Sequence, residues 1–139
     1  MNFKSENRCF VCGANNPGGL HLQFEIDRED RRLRTTFVPP EIFQGWDGIV
    51  HGGILSTLLD EAVAKLAYEL GYDAVTAKLT VTFRKPARVR QPLHVFGELN
   101  RITSRVIEGS SRIEDDSGNL VAEGQARLIR VDRLKKKSA

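Results

Sequence analysis

Residues 52–70 carry the one long helical repeat in the chain: Leu55, Leu58, Leu59, Ala62, Val63, Leu66 and Leu70 recur at helical spacing. Together they cover more than half the circumference of such a helix, so a single flat surface cannot bury them all. The other patterned segments alternate with period two, as half-buried strands do. Leu20, Leu22, Phe24 and Ile26 alternate with His21, Gln23 and Glu25. After a turn at Asp27–Asp30, Leu33, Thr35 and Phe37 continue a second strand, which Pro39 and Pro40 end. Gly71 is a natural helix stop. Beyond it Val75, Ala77, Leu79, Val81 and Phe83 alternate with polar neighbours. The runs "PLHVFGELNRIT", "RVIEGSSRIE" and "LVAEGQARLIRVD" follow, the last two joined by a hairpin turn at "DDSGN". Two strands, one long helix and four strands with short links favour an antiparallel sheet. The expected architecture is α+β: one central helix wrapped by a curved antiparallel sheet of about six strands.

A chain of 139 residues with 40% hydrophobic residues suits one small domain, which oligomerisation would help to stabilise. A turn-rich lead-in over residues 1–17, a folded body over 18–132 and a basic tail over 133–139 are the expected parts. Arg133, Lys135, Lys136 and Lys137 of that tail take the formal net charge of +3 to −1 when removed. The body is therefore near neutral, which argues against a nucleic-acid surface. No run approaches the ~20 apolar residues of a membrane span. The first ten residues lack the apolar core of a signal peptide, so the cytoplasm is the expected location.

The opening of the helix, "VHGGILSTLLDEA", combines two glycines with two acids. At about 100° per residue, Asp60 lies on a strip of small residues with Gly53, Ser56, Ala64 and Ala67. A ligand or another backbone can approach closely there. Glu61 falls elsewhere, with Thr57 and Lys65, and reads as the surface half of an i,i+4 ion pair with Lys65. The first N–H groups of a helix lack intrahelical partners and carry its positive dipole end. Gly52 and Gly53 leave them open to an oxygen that gains negative charge. Gly-Gly as a merely flexible helix entry is the competing reading.

His-Gly-Gly at the head of a long helix, with an acid eight residues after the first glycine, resembles the hotdog-fold acyl-CoA thioesterases. More narrowly it is similar to the PaaI-like group of the 4-hydroxybenzoyl-CoA thioesterase superfamily. "FQGWDGIVHGG" and "CFVCGANNPGGL" look like one subgroup of it. The resemblance implies a hotdog fold and hydrolysis of acyl-CoA thioesters, without a cofactor or metal. It implies that Gly52 polarises the thioester carbonyl and that Asp60 is general base or nucleophile. Thr76 matches a hydroxyl that assists the acid. Gln44 falls near an amide that positions water or the carbonyl. His51 matches the motif histidine, which shapes the loop or contacts substrate. The family is built as dimers or tetramers with active sites shared between chains. That agrees with the helix geometry, because Gly52 and Asp60 are about 12 Å apart along one helix. Two rival readings are a hotdog acyl-thioester dehydratase, which places its histidine and acid differently, and a non-catalytic acyl-CoA binder.

Other features stay open. Arg84, Lys85 and Arg88 could meet coenzyme A phosphates or be a solvated strand end. Cys9 and Cys12 form C-x-x-C, with His21 a possible third zinc donor and no evident fourth; structural thiols and disulfide chemistry are the alternatives. Trp46 could cover an acyl chain or anchor its loop. His94, on a strand, reads as a packed or surface residue.

Overall fold

The computed structural model describes residues 7–131. The tail expected over 133–139 lies outside them. Strands β1 (Glu25–Asp27) and β2 (Arg32–Phe37) precede helix α1 (Gly52–Glu69). Strands β3 (Ala74–Phe83), β4 (Leu93–Ile102), β5 (Val106–Asp115) and β6 (Leu120–Arg130) follow it. All neighbouring pairs are antiparallel, in the order β1-β2-β4-β5-β6-β3. The long strand β3 is therefore an edge.

The helix packs against β2 to β6 and buries Leu55, Leu58, Leu59, Ala62, Val63, Leu66 and Ala67. Their sheet partners include Leu93, Val95, Ile107, Ile113 and Leu128 in the same core. Two glycines set how closely sheet and helix approach. A Cβ on Gly97 would stand 2.5 Å from the Ala62 carbonyl oxygen, and one on Gly109 would stand 2.6 Å from Val63 Cγ1. The helix ends where the sequence places its stop. Gly71 takes φ +95 and donates to Tyr68 O, while Tyr72 N–H reaches back to Ala67 O.

Residues 20–24 depart from expectation. Their alternation suggests a strand, but regular pairing starts only at Glu25. His21 has φ 53, outside the strand region, and Leu20 and Leu22 donate to Phe10 O and Val11 O. The amides of Leu20 and Leu22 thus bond to the lead-in rather than to the sheet ladder, and the segment meets the sheet through Thr35 Oγ1 of β2, which donates to Gln23 O at 2.6 Å. Val11, only 5% exposed, belongs to the core, so the lead-in packs on the body.

Candidate active site

The chain enters α1 through a hydrogen-bonded loop. Val50 N–H donates to Ala87 O and His51 N–H to Phe43 O. Gln44 Oε1 accepts from Gly48 N–H at 2.9 Å, so its side chain braces this loop. His51 is the helix N-cap, and its Nδ1 accepts from Gly53 N–H at 2.8 Å. That bond places the proton of a neutral ring on Nε2. It also uses the Gly53 amide. The Gly52 amide has no hydrogen-bond partner among the described residues. It borders a hollow of about 390 Å³ lined by Gly45, Trp46, Val50, His51 and Gly52. The Phe83 ring lies beside Gly52: a Cβ there would meet Phe83 Cζ at 3.3 Å. Trp46 is 85% exposed and does not anchor the loop through packing within this chain.

Two turns further along, half-buried Asp60 faces β3. Thr76 Oγ1 donates to Asp60 Oδ1 at 2.7 Å. The β3–β6 register slips between Thr76 and Lys78, leaving Ala77 as the extra residue of a bulge beside the acid. The hydroxyl fixes one carboxylate oxygen by a strong hydrogen bond to a charged acceptor.

Glu61 corrects the expectation of a solvated ion pair with Lys65. Lys65 Nζ instead bonds Glu69 Oε1 at 2.9 Å, one turn further on. Burial, the largest single effect, opposes the lysine charge, but the Glu69 hydrogen bond together with the charges of Cys12, Glu69 and Glu61 raises the pKa of Lys65. Glu61 is half-buried beneath the lead-in, with Cys9 Sγ 3.6 Å from its Oε2. Burial pushes the Glu61 carboxyl above its ordinary value, against hydrogen bonds from both thiols. The Cys12 thiol is pushed up to about 12, first by burial and then by the charge of Glu61. Sequence spacing alone offers no signal for this cluster, because the loop reaches Glu61 from 52 residues away.

The basic residues separate. Arg84 Nη2 pairs with Glu123 at 2.7 Å and Lys85 Nζ with Asp115 at 2.9 Å. Arg88 is exposed and has no ion pair among the described residues. His94 bridges Thr36 Oγ1 and Asp116 Oδ1 on the sheet. His21 Nε2 lies 2.5 Å from Asn16 O, within its own loop.

The thioesterase superfamily model matches residues 47–122. Acyl-coenzyme A thioesterase THEM4 of Mus musculus is 33% identical over 117 residues, which is 82% of this chain and 50% of that protein. The chain thus spans about half the length of that curated relative. The PaaI protein of E. coli, from the phenylacetic acid degradation operon, superimposes with TM-score 0.74 at 20% identity, covering 80% of each chain. A hypothetical thioesterase protein of Streptococcus pneumoniae, solved with coenzyme A, does so with TM-score 0.74 at 22% identity, over 78% of this chain and 84% of that one. It has also been solved with a threonine or an aspartate replaced by alanine. These structural likenesses establish the hotdog fold.

Proposed function

Because this chain belongs to the thioesterase superfamily, we propose that it hydrolyses acyl-CoA thioesters to a free acid and coenzyme A. The observation that carries this reading is the Asp60–Thr76 hydrogen bond of 2.7 Å, on the same helix as an unpartnered Gly52 amide. Asp60 takes a proton from water as the water oxygen attacks the thioester carbon. Negative charge grows on the carbonyl oxygen, and the Gly52 N–H at the helix N-terminus stabilises it. The C–S bond then breaks, and the proton held by Asp60 passes to the leaving coenzyme A sulfur, which restores the carboxylate. Thr76 holds one Asp60 oxygen so that the other faces the water. His51 and Gln44 support this chemistry indirectly: one caps the helix and the other braces the loop before it. Gly53 shares in shaping the substrate approach. Arg88, exposed and without an ion pair among the described residues, is the cation best suited to meet a coenzyme A phosphate; Arg84 and Lys85 would first exchange their carboxylates.

The active site is shared between two chains of a homodimer or tetramer. Gly52 and Asp60 of one helix are about 12 Å apart, whereas one reacting carbonyl needs its groups within about 3–3.5 Å. Two antiparallel helices across a two-fold axis meet that need, with the Gly52 end of each facing the Asp60 turn of the other. Strand β3 supports this arrangement. It is a ten-residue edge with Val75 and Phe83 exposed, and long apolar edges call for a cover. No helix among the described residues is long and apolar enough to cross a membrane. The same reading places the protein in the cytoplasm, where a reducing environment suits the free thiols Cys9 and Cys12.

Release of free thiol from acyl-CoAs of varied chain length and aromatic character tests the activity. Binding without hydrolysis across the whole panel would leave a non-catalytic acyl-CoA binder. The shared site is tested by mixing Asp60→Asn subunits with Gly52→Val subunits. Heterodimers have one intact and one doubly damaged site, and about half the wild-type activity per dimer is expected from this one-in-two composition. No recovery after demonstrated subunit exchange between folded chains rules the shared site out.

A further inference from the structure

The lead-in loop has the local geometry of a metal-binding knuckle, apart from the catalytic groups. Cys9 and Cys12 are held on one side of a tight turn closed by Gly13 N–H to Cys9 O at 2.8 Å. Val11 N–H donates to Cys9 Sγ at 3.4 Å, the kind of bond that supports a thiolate ligand. Gly13 is required by space, since a Cβ there would stand 2.3 Å from Cys9 N. The turn is pressed onto α1 by buried Val11, whose carbonyl also takes the Leu22 N–H. Under it lies Glu61. The two sulfurs and a Glu61 oxygen all lie within 4.8 Å of one another. Lys65, the cation spaced to neutralise Glu61, bonds Glu69 instead.

We propose that Cys9, Cys12 and Glu61 bind a zinc ion that fastens the lead-in loop to the central helix. The chemistry favours zinc over calcium or magnesium, because two of the three donors are thiolates. Zn–S bonds of ~2.3 Å and a Zn–O bond of ~2.1 Å in a tetrahedron put sulfur and oxygen about 3.6 Å apart. Cys9 Sγ and Glu61 Oε2 are already 3.6 Å apart. Two thiolates and a carboxylate bring three negative charges, of which the ion cancels two. Three protein donors leave the fourth tetrahedral position to water. The sequence pattern offered His21 as the third donor, but in the folded chain the helix supplies Glu61. The site stands independently of the thioester reading, since none of its donors is placed in the hydrolytic machinery.

The test uses the full chain, reduced with a non-chelating phosphine and stripped of metal by a chelator. Cobalt(II) is added as the spectroscopic probe, and zinc is then titrated in competition. One equivalent of cobalt is expected, with thiolate-to-cobalt absorption in the near ultraviolet and the intense visible bands of a tetrahedral ion; zinc abolishes both. Cys9→Ser and Cys12→Ser should each weaken zinc binding by more than the ~10–100-fold that loss of a supporting partner costs. Glu61→Gln should keep the charge-transfer band and weaken binding at least about tenfold. Circular dichroism on each variant separates lost binding from lost folding. No cobalt spectrum with both thiols titrating as free overturns the site. Unchanged zinc affinity in folded Glu61→Gln overturns the role of the helix in it.

Discussion

Asp60 and Glu61 are consecutive residues with the same charge, yet they sit in different company. Asp60 looks toward an edge strand and receives the Thr76 hydroxyl at 2.7 Å. Glu61, about 100° around the helix, looks toward the lead-in and receives the Cys9 thiol at 3.6 Å. The strand that meets Asp60 follows the helix directly, while the loop that meets Glu61 comes from 52 residues earlier. An edge leaves room for a second chain or a substrate beside Asp60. A loop packed down by Val11 closes over Glu61. Position around the helix, rather than residue type, separates the acid proposed for catalysis from the one proposed to hold the chain together.

Exchanging each acid for its amide tests that division most strongly. Asp60→Asn should retain the fold and lower kcat/KM by roughly a hundredfold or more, as loss of a general base does. Glu61→Gln should leave kcat/KM within a few-fold of wild type while loosening the lead-in, measured as faster amide hydrogen exchange over residues 9–13. Equal rate losses in the two variants would erase the distinction. A smaller effect is expected at the strand. Thr76→Val removes one hydrogen bond to a charged acceptor, worth about 1.5–3 kcal/mol, so turnover should fall about 10–100-fold with the fold intact. Turnover unchanged in Thr76→Val would make that contact incidental. The smallest effect concerns the lysine between the acids. A double-mutant cycle on Lys65 and Glu69 should give a coupling of about 0.3–0.5 kcal/mol in denaturant unfolding, as i,i+4 helix pairs do. The same cycle on Lys65 and Glu61 should give less. The reverse order would return Glu61 to its place as Lys65's partner.

The features legible in the sequence are those set by local rules. Apolar spacing marks α1 to within a residue of its observed end at Glu69, and Gly71 marks the stop. The order of elements along the chain and the antiparallel pairing follow from alternation and short links, but the sheet order, with β3 beside β6 and β2 beside β4, does not. The small-residue strip and the His-Gly-Gly entry single out Asp60 and Gly52, and the resemblance adds Thr76, which the fold brings against Asp60. Where local rules allow two answers, the sequence is silent. Lys65 is four residues from both Glu61 and Glu69, and spacing alone does not choose between them. Residues 20–24 alternate as a strand does, yet the amides of Leu20 and Leu22 bond to the lead-in.

What the sequence determined by itself was the helix, the strands around it and the acid that faces the small-residue strip, because each depends on neighbours within a few positions. Tertiary structure alone decided which element covers each acid, that Glu61 rather than His21 stands beside Cys9 and Cys12, and that Arg88 rather than Arg84 or Lys85 has no ion pair among the described residues. Those outcomes depend on contacts between segments far apart in the chain. A long-range contact forms only where the whole fold brings its partners together, and periodicity carries no record of it.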